Sequence, residues 1–228
     1  MIQFNIFGCG IADLDTFFGY LCYLLPYLFQ DVHVSKLKYK VYILAKNHRV
    51  SYPLSFNKSN TPFTIIYFDV WGPSLIKNHN GIQWFVMFVN DYTHITCLYI
   101  LKNKSDVGCI FRVFYQMINT QFKSSIKIFH SDNSGEFVST TLFIFFQEHG
   151  ILHKTTCSQT PKQNDIAECQ NRYILKTTLT FLFGTSALQL FCFGVVTYVV
   201  YLLNQNPSRV LDFKTSMETL TRYVSLFM

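Results

Sequence analysis

The sequence predicts a mixed α/β sandwich layered around one sheet, with elements in the order β-β-β-α-β-α-β-α. Three observations predict it. Apolar, β-branched runs of strand length end at turn residues. Stretches between the later strands carry apolar residues at helical spacing and end at helix-stopping residues. And 228 residues, 50% of them hydrophobic, are enough to bury one sizeable core.

Residues 1–60 are irregular. Aromatic and apolar residues cluster at 17–29, a basic stretch follows at 36–49, and 51–62 (SYPLSFNKSNTP) reads as a linker and a domain boundary. The regular pattern then begins. Residues 63–70 form an apolar, β-branched strand stopped by Gly72-Pro73. Asn80-Gly81 is a hairpin-type turn signal before a second strand at 84–89, and 95–101 is a third. Ser105 is placed to cap a helix over 106–122, because Val107, Ile110, Phe111, Phe114 and Ile118 recur on one face. A short strand at 126–129 precedes a helix over 140–149 closed by Gly150. A fifth strand at 151–156, a polar loop at 159–164 and a long helix at 165–183 complete the set. The boundaries this implies are 1–60, 61–185 and 186–228.

Charged residues are only 14% of the chain, which excludes a generic disordered polypeptide. The net charge of +6 and pI of about 8.9 permit a polyanionic partner, and generic basicity explains them equally well. The seven cysteines are odd in number, scattered and without a CxxC pair. Neither a disulfide framework nor a zinc ribbon is expected; reduced, mostly buried thiols are. No signal peptide is expected. Residues 177–208 contain no charge, which invites a membrane span. Threonines, Gly184 and Gln189 interrupt the run, so two buried helices split at 184–186, the second over 187–203 and stopped at 204–207, are expected instead.

Three acidic residues sit where elements end. Asp69 closes the first strand, Asp132 follows the short strand at 126–129, and Glu168 lies in the first turn of the long helix. Converging carboxylates are hard oxygen ligands for Mg²⁺ or Mn²⁺, and two such ions can drive an in-line phosphoryl displacement. Each acid taken singly also reads as a cap, a turn residue or a surface charge.

The words around these acids carry more. FDVWGP at 68–73, HSDNSGEF at 130–137, and TPKQNDIAE at 160–168 followed by Asn171-Arg172 resemble the integrase core of copia-type LTR retrotransposons. That family's pattern is close to DVWGP, then SDNGGE(F/Y), then TPQQNGVAERxNR. Thirty-five residues separate Asp132 from Glu168, as in the family's D,D-35-E spacing. NDYT at 90–93, NPSR at 206–209 and FKT at 213–215 also look like copia-type polyprotein sequence, so the resemblance spans roughly 35–220.

The resemblance implies an RNase H-like core, with a mixed five-stranded sheet flanked by helices, and a DDE-type polynucleotidyl transferase. Asp69, Asp132 and Glu168 would be catalytic and would hold two Mg²⁺ or Mn²⁺ ions. The reactions implied are 3′-end processing of the element's DNA and strand transfer into target DNA. Asn133 and Asn164 would frame the site, and His130 is a lesser candidate beside its reading as a packed or capping histidine. Arg172 and Lys176 lie four and eight residues after Glu168, on one helical stripe. With Lys154, Lys162 and Asn164 they would bind DNA phosphates; a solvated helix face explains Arg172 and Lys176 equally. DNA is the implied partner, both element ends and target, with weak sequence choice. A homo-oligomer and a nuclear location go with that function.

This copy also departs from the family. The N-terminal His-His-Cys-Cys zinc knot is expected to be lost: Leu44-Ala45-Lys46 is kept, but Tyr39 and Tyr42 replace the paired cysteines, and the paired histidines fall near Asp15 and Tyr20. Cys9, Cys22, His33 and His48 lack the spacing to substitute, so no zinc is expected. Ser134 and Asp165 stand where glycine is usual, Cys169 and Gln170 where two basic residues are usual, and Cys192 where tryptophan is usual. The protease, the reverse transcriptase and the longer C-terminal portion are not in the sequence. The expectation is a decayed copy with its carboxylates spared. A non-catalytic nucleic-acid-binding relic is the alternative, and a small membrane protein using 177–208 is a more distant one.

Overall fold

The computed structural model describes residues 59–132 apart from 76 and 79, and residues 140–155, 165–184 and 191–225. The reading of residues 1–58, zinc knot included, lies outside them. Five strands form one sheet in the order β3-β2-β1-β4-β5. They are β1 (Ile65–Trp71), β2 (Trp84–Asn90), β3 (Thr96–Leu101), β4 (Ile128–Ser131) and β5 (Leu152–Thr155). The sheet is mixed: β1–β2 and β2–β3 are antiparallel, and β1–β4 and β4–β5 are parallel. Helices α1 (Val107–Phe122), α2 (Thr140–Glu148), α3 (Asp165–Gly184), α4 (Cys192–Gln205) and α5 (Ser216–Ser225) complete the described elements.

Alternation along the strands sends successive side chains to opposite faces and builds two apolar cores. Phe68, Val86 and Phe88 face one core, where they meet Phe111 and Phe114 of α1, Phe129 of β4 and Phe146 of α2. Phe85, Met87, Val89 and Leu98 face the other, against Ala167 and Ile174 of α3 and Phe193, Val196, Val199 and Val200 of α4. Nine phenylalanines are buried among the described residues: Phe63, Phe68, Phe85, Phe88, Phe111, Phe114, Phe129, Phe146 and Phe193. Phe88 stacks on Phe114 with ring centroids 4.0 Å apart, and Phe111 meets Phe129 edge-on at 4.8 Å. The five α1 residues expected on one face are all buried.

The structure shifts several boundaries. The fourth strand runs over Ile128–Ser131 rather than 126–129. Ile126 is buried ahead of the strand, and the Lys127 and Ile128 amides both donate to the Thr64 carbonyl, so pairing starts later. Asp132 still follows the strand directly. Ser105 does not cap α1; it lies in a 3₁₀ turn at Lys104–Asp106, after which α1 begins. α4 extends through Asn204, which the sequence reading placed in the stop. Asn204 is buried, accepts a hydrogen bond from the Thr96 amide and donates one to the Thr96 carbonyl, each 2.9 Å. That pair ties α4 to the edge strand β3. α5 falls in the 186–228 segment, read from the sequence as a helical C-terminal extension without bounds for this helix. Among the described residues no helix is long and apolar enough to cross a membrane.

Between β1 and β2 the chain turns at Gly72, where φ is +138°. A Cβ there would lie 2.6 Å from Trp84 Cε3, so only glycine lets β1 end this close to β2.

Candidate active site

Strand parity and register place the acids. Tyr67, Asp69 and Trp71 alternate with Phe68, so Asp69 faces the layer of α3 and α4. β1 and β4 run parallel with Tyr67 beside His130. Two places further along that register, Asp69 lies alongside Asp132. Both acids thus leave the same end of adjacent parallel strands on the same face. α3 crosses that face. Its buried stripe is Ala167, Asn171, Ile174 and Thr178, and Glu168, Arg172 and Lys176 lie on its exposed side.

Asp69 is half-buried and held on both oxygens. One accepts the Val70 amide at 2.9 Å and the other accepts Asn171 Nδ2 at 2.6 Å. Burial pushes its carboxyl up to about 6; the two hydrogen bonds oppose that rise, and the negative charges of Asp132 and Glu168 add to it. The charges of Asp132 and Glu168 therefore reach Asp69 at the C-terminal ends of β1 and β4. Asn171 is itself buried, and its Oδ1 has no hydrogen-bond partner.

Of the basic candidates, Lys154 on β5 is exposed beside His130, and Arg172 and Lys176 share the open face of α3 with Glu168. His130 packs rather than projects: its ring stacks on Tyr67 at 4.9 Å, and burial, then the charge of Lys154, holds its pKa below the usual value. Gln170, which stands where a basic residue is usual, lies off the exposed stripe of Glu168, Arg172 and Lys176. Its Nε2 donates to Thr96 Oγ1 at 3.3 Å, on the sheet side of the helix. Asn133, Lys162 and Asn164 lie outside the described residues, as does Ser134.

Residues 59–161 match the integrase core domain family. Residues 59–161 are an integrase core domain. The chain is 35% identical over 178 residues, 78% of its length, to the retrovirus-related Pol polyprotein from transposon RE1 of Arabidopsis thaliana. It is 32% identical over 172 residues, 75% of its length, to that of transposon TNT 1-94 of Nicotiana tabacum. It spans 12% and 13% of those two relatives. Its fold is that of the catalytic core domain of HTLV-2 integrase, a structure in complex with magnesium in a trimeric form, with a TM-score of 0.51 at 19% identity over 71% of this chain and 99% of that one.

The sequence reading takes Asp69, Asp132 and Glu168 as candidates and does not place Asn171 beside Asp69. A signal was present. Asn171 falls on the same helical stripe as Ala167 and Ile174, and a polar residue on a buried stripe demands a partner.

Proposed function

We propose that this integrase core is a divalent-metal-dependent polynucleotidyl transferase acting on DNA ends and on target DNA. The observation that carries the reading is Asp69: a desolvated carboxylate, fixed by two donors, inside the negative field of Asp132 and Glu168. Such a group gains from a nearby cation. The donor set is all oxygen and carries three negative charges, which suits Mg²⁺ or Mn²⁺. Asp69, Asp132 and Glu168 would hold the ions. When bound, a pair of such ions supplies activation of a water or 3′-hydroxyl and stabilises the leaving oxygen.

The remaining roles belong to the chain. The Val70 amide and Asn171 fix both oxygens of Asp69, so that carboxylate is oriented before anything binds. Lys154, Arg172 and Lys176 are exposed around the acids and would neutralise phosphates on the approaching strand. Lys162 and Asn164, which precede α3 in the sequence, would contact the same backbone, Lys162 as a cation and Asn164 as a neutral hydrogen-bonding group. A working complex on DNA would bring together more than one copy of the chain, in the nucleus, where target DNA lies.

Among the described residues no three His, Cys, Asp or Glu side chains are gathered closely enough to hold an ion outright. That spread supports a second reading, a nucleic-acid-binding domain without turnover in a decayed copy. One experiment separates the two. The full chain is incubated with supercoiled plasmid and Mn²⁺ or Mg²⁺, alongside Asp69→Asn. Nicking that needs the ion and disappears in the variant supports the transferase. Salt-sensitive binding with no nicking, equal in both proteins, supports the second reading and overturns the first.

A further inference from the structure

We propose that His153 is a positioning residue for Asp132, acting through Ser131, and that it sets the affinity of the acidic site for divalent cations. The inference rests on the metal-site reading above and adds to it a residue outside the three acids.

Ser131 is the last residue of β4 and is fully buried. Its hydroxyl donates to the carbonyl of Asp132 at 2.9 Å. The same Oγ lies 2.8 Å from Nε2 of His153. A serine hydroxyl has one hydrogen, and the Asp132 carbonyl takes it. Both bonds form at once in the tautomer that carries the hydrogen on His153 Nε2, which then donates to Ser131 Oγ. The chain His153 Nε2–H to Ser131 Oγ–H to Asp132 C=O thus has a single direction, each bond polarising the next.

The imidazole is well placed to anchor this chain. β4 and β5 pair in parallel with Phe129 beside His153, so His153 and Ser131 share the α1/α2 face of the sheet. The ring is half-buried, 5.1 Å from Phe146 and 5.7 Å from Phe129. Its position is set by an aromatic core rather than by solvent. Asp132 is one residue past the end of its strand. The bond from Ser131 holds its carbonyl from the core side, and the charge of Asp132 reaches Asp69. Partners of this kind, behind the ligands, typically change metal affinity 10–100-fold.

The test is a Mn²⁺ titration of the full chain, reading both the dissociation constant and, separately, the urea midpoint without metal. His153→Phe keeps a ring against Phe129 and Phe146 but carries no donor. His153→Gln restores an N–H at a similar reach, and Ser131→Ala removes the relay itself. Expected are a dissociation constant raised at least tenfold in His153→Phe and Ser131→Ala, recovery to within about threefold of wild type in His153→Gln, and no such rescue pattern in the urea midpoints. Equal Mn²⁺ affinity in wild type and His153→Phe overturns the positioning role and leaves the metal site standing. A wild-type chain that takes up no Mn²⁺, behaving like Asp132→Asn, overturns the metal-site reading and this role with it.

Discussion

Replacing Asp69 with asparagine should stabilise the fold in the absence of metal. In the native state this carboxyl titrates at about 6, against 3.8 for an unperturbed one. The difference, about two units at 1.36 kcal/mol each, means that ionised Asp69 costs the native state up to roughly 3 kcal/mol. The sign follows from proton binding. Between about pH 4 and pH 6 the native state holds the proton and the unfolded state does not, so stability falls as pH rises through that window. Above it the full cost is present. Asparagine carries no charge to desolvate. It also keeps the hydrogen bonds: its Oδ1 accepts the Val70 amide, and a half-turn of the Asn171 amide sets the unpartnered Oδ1 against the new Nδ2. The expected gain in Asp69→Asn is about 2–3 kcal/mol at pH 7.5, or roughly 4–12 °C in melting temperature for a chain of this size, vanishing near pH 4. The assay is thermal unfolding of both proteins in EDTA across pH 4–8. His130 and His153 have pKa values lowered by burial and lose stability toward low pH, the opposite sign. Both proteins carry them, so the difference curve isolates Asp69. A variant no more stable than wild type at pH 7.5, or a difference that does not change with pH, would refute the electrostatic argument.

Three further outcomes are expected. Asn171→Ala removes a short, charge-assisted donor to Asp69 and should cost about 1.5–3 kcal/mol in urea unfolding at pH 7.5. Arg172→Ala with Lys176→Ala should lower the slope of log affinity for DNA against log salt by about 2, measured by fluorescence anisotropy. Asn204→Ala strips two buried hydrogen bonds from Thr96 and should cost roughly 2–4 kcal/mol in the same urea assay, with no change in that slope.

Much of this was legible from residues alone. Strand alternation and the apolar face of α1 set the layers, and two acids at strand ends with one on α3 marked the candidate site. What escaped was the polar side chains that serve as joints. Asn204, read as a helix stop, is a buried tie to β3, because asparagine's turn propensity is local and the Thr96 backbone is distant in sequence. His153 sits in a four-residue strand whose apolar signal is weak, and only the β4–β5 register brings it to Ser131. α5 was given no bounds although its start is encoded. Thr215 and Glu218 form a reciprocal capping box, each side chain bonding the other's amide at 2.9 Å. Its apolar stripe was legible too: Met217, Leu220 and Val224 recur at helical spacing and pack on the core.

The Asn204 tie has a consequence for how copies of this chain can meet. β3 is one margin of the sheet, and the Thr96 amide and carbonyl face outward from it. A visiting strand seeking to continue the ladder there would find both groups already engaged by a side chain from the same molecule. Natural sheets guard their margins against edge-to-edge growth in many ways; here a single carboxamide imitates a neighbouring strand. Association through a continuous intermolecular sheet is blocked at that point of the β3 margin.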